Sequence, residues 1–195
     1  DTAVIDTTQK RTPLRFLVNR FAITDGHFVL DNFERSPVRD VRPDVIDYDH
    51  LKVDQIDIQA DSVEFTDVLD FTGRLQNLSA REQSGFELTS SRADHVVVNH
   101  QVTALYGTRI QTPGSTLGDT VMFHYDGTYR AYRHFNNEVR MDIRLAEGSR
   151  MKLGDISKFS ESVAENKFFQ NNYDKTADIS GRVDGTVNKL NGRDL

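Results

Sequence analysis

The chain has 195 residues, 24 Lys plus Arg against 30 Asp plus Glu, a net charge of −6, 37% hydrophobic residues and no cysteine. These numbers exclude disulfides and thiolate zinc sites, and the acidic balance argues against a nucleic-acid partner or charge-driven docking on an anionic membrane leaflet. No apolar run approaches the ~20 residues of a membrane-spanning helix. The chain starts Asp1-Thr2-Ala3 without a signal peptide, so any targeting or anchoring segment is expected to lie outside it.

Residues 1–12 are polar and aperiodic and read as a ragged lead-in. Leu14 to Val18 reads as a short strand. Phe21-Ala22-Ile23-Thr24, Asp25-Gly26 and His27-Phe28-Val29-Leu30 then read as a hairpin, because the Gly supplies positive φ between two β-rich runs. Residues 32–47 carry Pro37, Pro43 and many charges and read as a loop-rich excursion. Leu51 and Val53, then Ile56, Ile58 and Ala60, alternate with a phase slip at Asp54-Gln55 that predicts a bulge.

Separate strands are predicted around Val63 and Phe65, Phe71 to Leu75, Phe86 and Leu88, Val96 and Val98, and Val102 to Ile110. Strand starts recur every eight to twelve residues or so, the spacing of all-β folds. From Thr120 to Leu153 the alternation is clearest. Val121, Phe123 and Tyr125 take one parity; after a polar break Val139, Met141, Ile143 and Leu145 alternate with Arg140, Asp142 and Arg144. Glu147-Gly148-Ser149 reads as a turn, and Met151 and Leu153 resume the pattern. Since successive strand side chains point to opposite faces, one dry and one wet face are expected.

Ile156, Phe159 and Val163 recur at helical spacing, which predicts one short helix near 155–170. Asp155 would cap it, Ser162 and Glu165 have capping-box spacing, and Asn171-Asn172 would end it. Ile179, Gly181, Val183, Gly185 and Val187 give a last strand, and Asn191-Gly192 reads as a turn leading onward.

Candidate chemistry is sparse. Asp47-Tyr48-Asp49 opens like a calcium loop, but Lys52 stands where Gly is needed and no Glu closes it. The six histidines lack metal-site spacing, no GxSxG elbow is present, and Gly114 to Gly118 lacks the Lys-Ser/Thr of a phosphate loop. Asn77-Leu78-Ser79 is a short match to a glycosylation sequon. Arg130, Arg133, Arg140 and Arg144 fit a solvated basic face better than a lipid-phosphate site. No catalytic residue, metal site or cofactor is assigned, and the chain is not expected to be an enzyme. What remains is the dry parity: Val121, Phe123, Tyr125, Val139, Met141, Ile143, Leu145, Met151, Leu153, Ile179, Val183 and Val187. Periodicity alone reads this set as an ordinary core; a groove for an acyl chain would use the same residue types.

Phe135-Asn136-Asn137-Glu138-Val139-Arg140-Met141-Asp142-Ile143 runs into Met151-Lys152-Leu153-Gly154-Asp155-Ile156-Ser157-Lys158-Phe159 and then Ile179-Ser180-Gly181-Arg182-Val183-Asp184-Gly185-Thr186-Val187. This order resembles the TamB-like translocation and assembly module proteins of the AsmA-like group, closest to the Bacteroidetes type. There a strand pair leads to a short Asp-Leu-x-x-Phe helix and a Gly-x-Val-x-Gly strand. Phe21 to Leu30, and Leu75 to Leu88 with Ser84-Gly85-Phe86, resemble the family's upstream hairpins.

The resemblance implies a mainly β fold: an elongated, curved antiparallel or mixed sheet folded lengthwise into a U-shaped trough, the β-taco. The whole of 1–195 would be one interior segment of a longer protein. It implies a periplasmic, non-enzymatic conduit in outer-membrane biogenesis, anchored in the inner membrane by an N-terminal helix absent from this chain. Its partners would be phospholipid acyl chains or unfolded outer-membrane protein, and an outer-membrane barrel of the BamA/TamA type. The twelve dry-face residues would line the groove, and open strand edges would favour an edge-strand dimer. The competing reading is a closed β-sandwich adhesin or scaffold without a lipid ligand.

Overall fold

A computed structural model describes residues 15–34, 38–39, 41–67, 70–125, 135–186 and 189–194. The fold is mainly β, with 66% of it in strand. Nine strands form one sheet in chain order: β1 (Phe16–Asp31), β2 (His50–Asp67), β3 (Asp70–Glu82), β4 (Glu87–Val98), β5 (Val102–Gln111), β6 (Thr116–His124), β7 (Arg140–Lys152), β8 (Thr176–Thr186) and β9 (Lys189–Arg193). Every neighbouring pair is antiparallel, so the expected alternative of a mixed sheet is set aside. The sheet does not close into a barrel, and its open form is consistent with a curved trough. Short helical segments α1 (Phe135–Glu138), α2 (Leu153–Ser157), α3 (Glu161–Glu165) and α4 (Lys167–Asn171) flank β7.

The strands are longer and fewer than the turn signals predict, because several signals mark bulges. Asp25-Gly26 is not a hairpin. Asp25 has φ 52°, and the β1/β2 register slips on both sides of Gly26 while β1 continues for 16 residues. The expected bulge near Gln55 is present: Gln55 has φ 53° and the β2/β3 register shifts between Asp54 and Asp57. Gly148 is likewise a bulge, with φ +81°, in an unbroken β7 where a turn was expected. The bulges at Asp25 and Gly148 take positive φ just as a tight hairpin turn does, so Gly or Asp at one position cannot distinguish the two. Phe86 lies in the β3–β4 turn, and Leu88, Val96 and Val98 all belong to β4. Asn191-Gly192 is strand, part of β9.

The predicted helix is three short helices, α2 to α4. Asp155 does not cap: its Oδ2 accepts from Thr112 Oγ1 and Ser115 Oγ, both at 2.5 Å, pinning the β5–β6 turn. The residue that caps α3 is Ser160, without a side-chain bond, so Ser162 and Glu165 form no capping box. Asn171 and its C-cap Asn172 do end the segment. The excursion after β1 contains no strand among its described residues, yet it carries buried Val45 and Ile46. The expected lead-in over residues 1–12 lies outside the described residues.

At β8, close approach replaces side-chain packing. A Cβ on Gly185, at φ +132°, would lie 2.1 Å from the Lys189 carbonyl oxygen. Gly185→Ala is therefore expected to cost about 2 kcal/mol or more and to speed amide exchange in β9, measured by denaturation and hydrogen exchange. Gly148→Ala, whose Cβ would meet nothing, is expected to cost about 1 kcal/mol, from φ alone.

Candidate functional site, an uncovered apolar sheet face

Directly paired residues in an antiparallel sheet share a face, so the register itself draws the site. One row crosses all nine strands: Phe16, Phe65, Phe71, Val98, Thr103, Phe123, Met141, Gly185 and Leu190. The next row on that face runs Gly73, Val96, Leu105, Val121, Ile143, Val183 and Gly192. Interleaved on the opposite face is Glu64, Thr72, Val97, Ala104, Met122, Asp142, Asp184 and Asn191. The two rows of the apolar face are contiguous, and their large side chains from Phe65 to Val183 are half-buried. The main packing between strands links chain neighbours, and no second sheet lies over this face among the described residues.

Of the sequence-predicted residues, Val121, Phe123, Met141, Ile143 and Val183 fall together in these rows. Tyr125 lies just past β6, its hydroxyl donating to Thr103 Oγ1 at 3.2 Å, at the rim of the same face. Val139 is fully buried and Leu145 is buried, so neither offers surface to a guest. Beyond the Gly148 bulge the apolar pairing fades: Ile179 faces Ser149 and Met151 faces Ala177. Leu153 opens α2, and Val187 lies outside the described residues. Sequence reasoning missed Phe65, Phe71, Val96, Val98 and Leu105, which extend the face across β2 to β5. Their parity was visible strand by strand; the register that joins them was not.

The wet parity is not simply wet. Asp142 and Asp184 oppose each other across β7 and β8 and are both buried. Arginines offset the like charge. Arg182 donates from Nε and Nη2 to the two oxygens of Asp142 at 2.8 and 2.6 Å, a bidentate pair. Arg140 Nη2 reaches Asp184 Oδ2 at 3.1 Å, and Arg193 Nε lies 3.3 Å from its Oδ1. The hydrogen bonds from Arg182 hold the Asp142 carboxyl below its ordinary value, against the opposing effect of burial.

One end of the sheet is bridged. In a flat sheet β2 and β7 would stand about 24 Å apart, at ~4.8 Å per strand. Yet Ile46 N donates to Lys158 O at 2.8 Å, Tyr48 Oη to Phe159 O at 3.2 Å and Arg42 N to Glu161 Oε1 at 2.9 Å. Lys158 Nζ donates to Ser84 O at 3.1 Å, and the Phe86 and Phe159 rings meet edge-on at 5.0 Å. The β7–β8 connection thus reaches back to the β3–β4 turn and the post-β1 excursion. Burial, reinforced by the charge of Glu82, pushes the Tyr48 phenol up to about 12.

Asp47 lies in this bridge, its Oδ1 accepting from the Asp49 and His50 amides. No group of three His, Cys, Asp or Glu side chains among the described residues is arranged to hold a metal ion. No helix among them is long and apolar enough to cross a membrane. Compared with protein-family models, curated proteins and solved structures, the chain has no significant match.

Two pH effects follow. The folded Asp142 carboxyl is the stronger acid, so its contribution is fully present above the unfolded value near 3.8 and is lost as pH falls through the lower folded one. Asp142→Asn is expected to cost about 1 kcal/mol at neutral pH, Arg182 being partly exposed, with the difference closing in urea titrations as pH falls through the lowered carboxyl. Tyr48 is the reverse: the neutral phenol is favoured in the fold, so its contribution is present below pH 10 and lost as pH rises through about 12. Tyr48→Phe is expected to be less stable at pH 9 or so and to lose less stability over that alkaline range.

Proposed function

We propose that the chain is a non-enzymatic conduit segment whose apolar sheet face carries acyl chains. The observation that supports this most directly is the pair of contiguous apolar rows left only half-buried, with no second sheet over them among the described residues. An acyl chain laid along such a face is stabilised by about 0.8 kcal/mol per methylene removed from water, without any catalytic group. The opposite face, with its arginine–carboxylate pairs, keeps the sheet soluble and rigid beneath the guest.

On this reading the cargo is phospholipid or the apolar strands of unfolded outer-membrane protein, and the setting is the periplasm. The resemblance to TamB-like proteins supplies that setting, together with the inner-membrane anchor and the outer-membrane barrel partner. It rests on strand texture and on the open β architecture. The competing closed sandwich needs a second layer over Val121, Phe123 and Ile143, and the half-burial of these side chains favours the conduit.

Native mass spectrometry of the purified chain is expected to find bound phospholipid. Ile143→Asp should abolish it while circular dichroism stays that of the native sheet, and Asp142→Asn, one residue away on the other face, should retain it. A folded chain with a clean apo mass that takes up no lipid on reconstitution rejects the proposal.

A further inference from the structure

The two edges of the sheet are unlike. β9 is five residues long, carries Lys189 and Arg193, and ties Arg193 back to Asp184. Shortness and positive charge are the usual protections of an edge strand. β1 is 16 residues long and carries Arg20 as its one Lys or Arg, and seven of its large apolar side chains are exposed on both of its faces, from Leu17 (68%) down to Ile23 (38%). Its pairing partner β2 occupies one side, and among the described residues no strand pairs with the row of backbone donors and acceptors on the other.

We propose that β1 pairs antiparallel with β1 of a second copy about a two-fold axis normal to the sheet at Ala22. The sequence is self-complementary about that point. Phe21 of each copy falls opposite Ile23 of the other. The extra residue of the Thr24-Asp25 bulge falls opposite Arg20, bringing an exposed carboxylate to an exposed guanidinium twice per dimer. Beyond the bulge the register places Leu17 opposite Phe28 and Phe16 opposite Val29. A two-fold normal to the sheet keeps each face on its own side, so Phe16 meets Val29 of the mate, which pairs with Lys52, and the apolar rows of the two copies lie toward opposite ends of the pairing. The isologous pairing uses the same edge of each copy, so it closes at two copies and does not propagate. It stands whether the guest on that face is lipid, protein or none.

Sedimentation velocity of the chain over a wide concentration range is expected to show a monomer–dimer equilibrium. Arg20→Glu sets like charges opposite each other at both ends of the pairing, and Asp25→Lys does the same; each is expected to weaken the dimer about tenfold or more. Mixing these two variants pairs Glu with Lys and Asp with Arg, so heterodimer is expected to recover toward the wild-type affinity. Leu17→Lys, at an exposed position, tests the same edge without touching the bulge and should also favour monomer. A folded wild-type chain that stays monomeric at every concentration overturns the proposal. So does a dimer indifferent to Arg20→Glu and Leu17→Lys, or a failure of the mixed variants to recover.

Discussion

Everything distinctive in this structure depends on one constraint: each strand pairs antiparallel with its chain neighbour, in registers that keep like side chains opposite each other across nine strands. A one-residue slip in any ladder would send half the apolar row to the other face. The slips that do occur are bulges, at Asp25, Gln55, Gly107 and Gly148 among others, and on β1 and β2 they compensate one another so that Phe28 still meets Val53. Bulges also bend and twist strands, which gives a long open sheet its curvature without breaking it into hairpins.

The two faces solve different problems. One presents Phe65, Val96, Leu105, Phe123 and Ile143 with no second sheet over them among the described residues, an arrangement that costs free energy in water and that the proposed guest would relieve. The other buries Asp142 and Asp184 side by side on adjacent strands, and Arg140, Arg182 and Arg193 make that burial tolerable. The arginines keep their outer ends in water, so this face remains polar although its carboxylates are hidden.

The bridged end adds a third feature. The segment from Leu153 to Asn171 leaves β7 and, through Ile46, Tyr48, Ser84 and Phe86, holds strands together that the ladder alone would leave far apart. Asp155 fastens its start to Thr112 and Ser115, so the β5–β6 turn joins the same assembly.

The sequence by itself determined the β class, the alternation that separates two faces, and the members of the apolar set on β6 to β8 such as Phe123, Ile143 and Val183. These are local properties, written in the two-residue period of each strand. It left undecided whether Asp25-Gly26 and Gly148 turn the chain or merely bulge it, because both need the same backbone freedom. It could not show that Asp155 clasps a distant turn, that Val139 is sealed while Ile143 is only half-buried, or that Asp142 and Asp184 end up buried together. Those outcomes belong to pairings between residues up to a hundred and more positions apart, which only the assembled sheet brings within reach of one another.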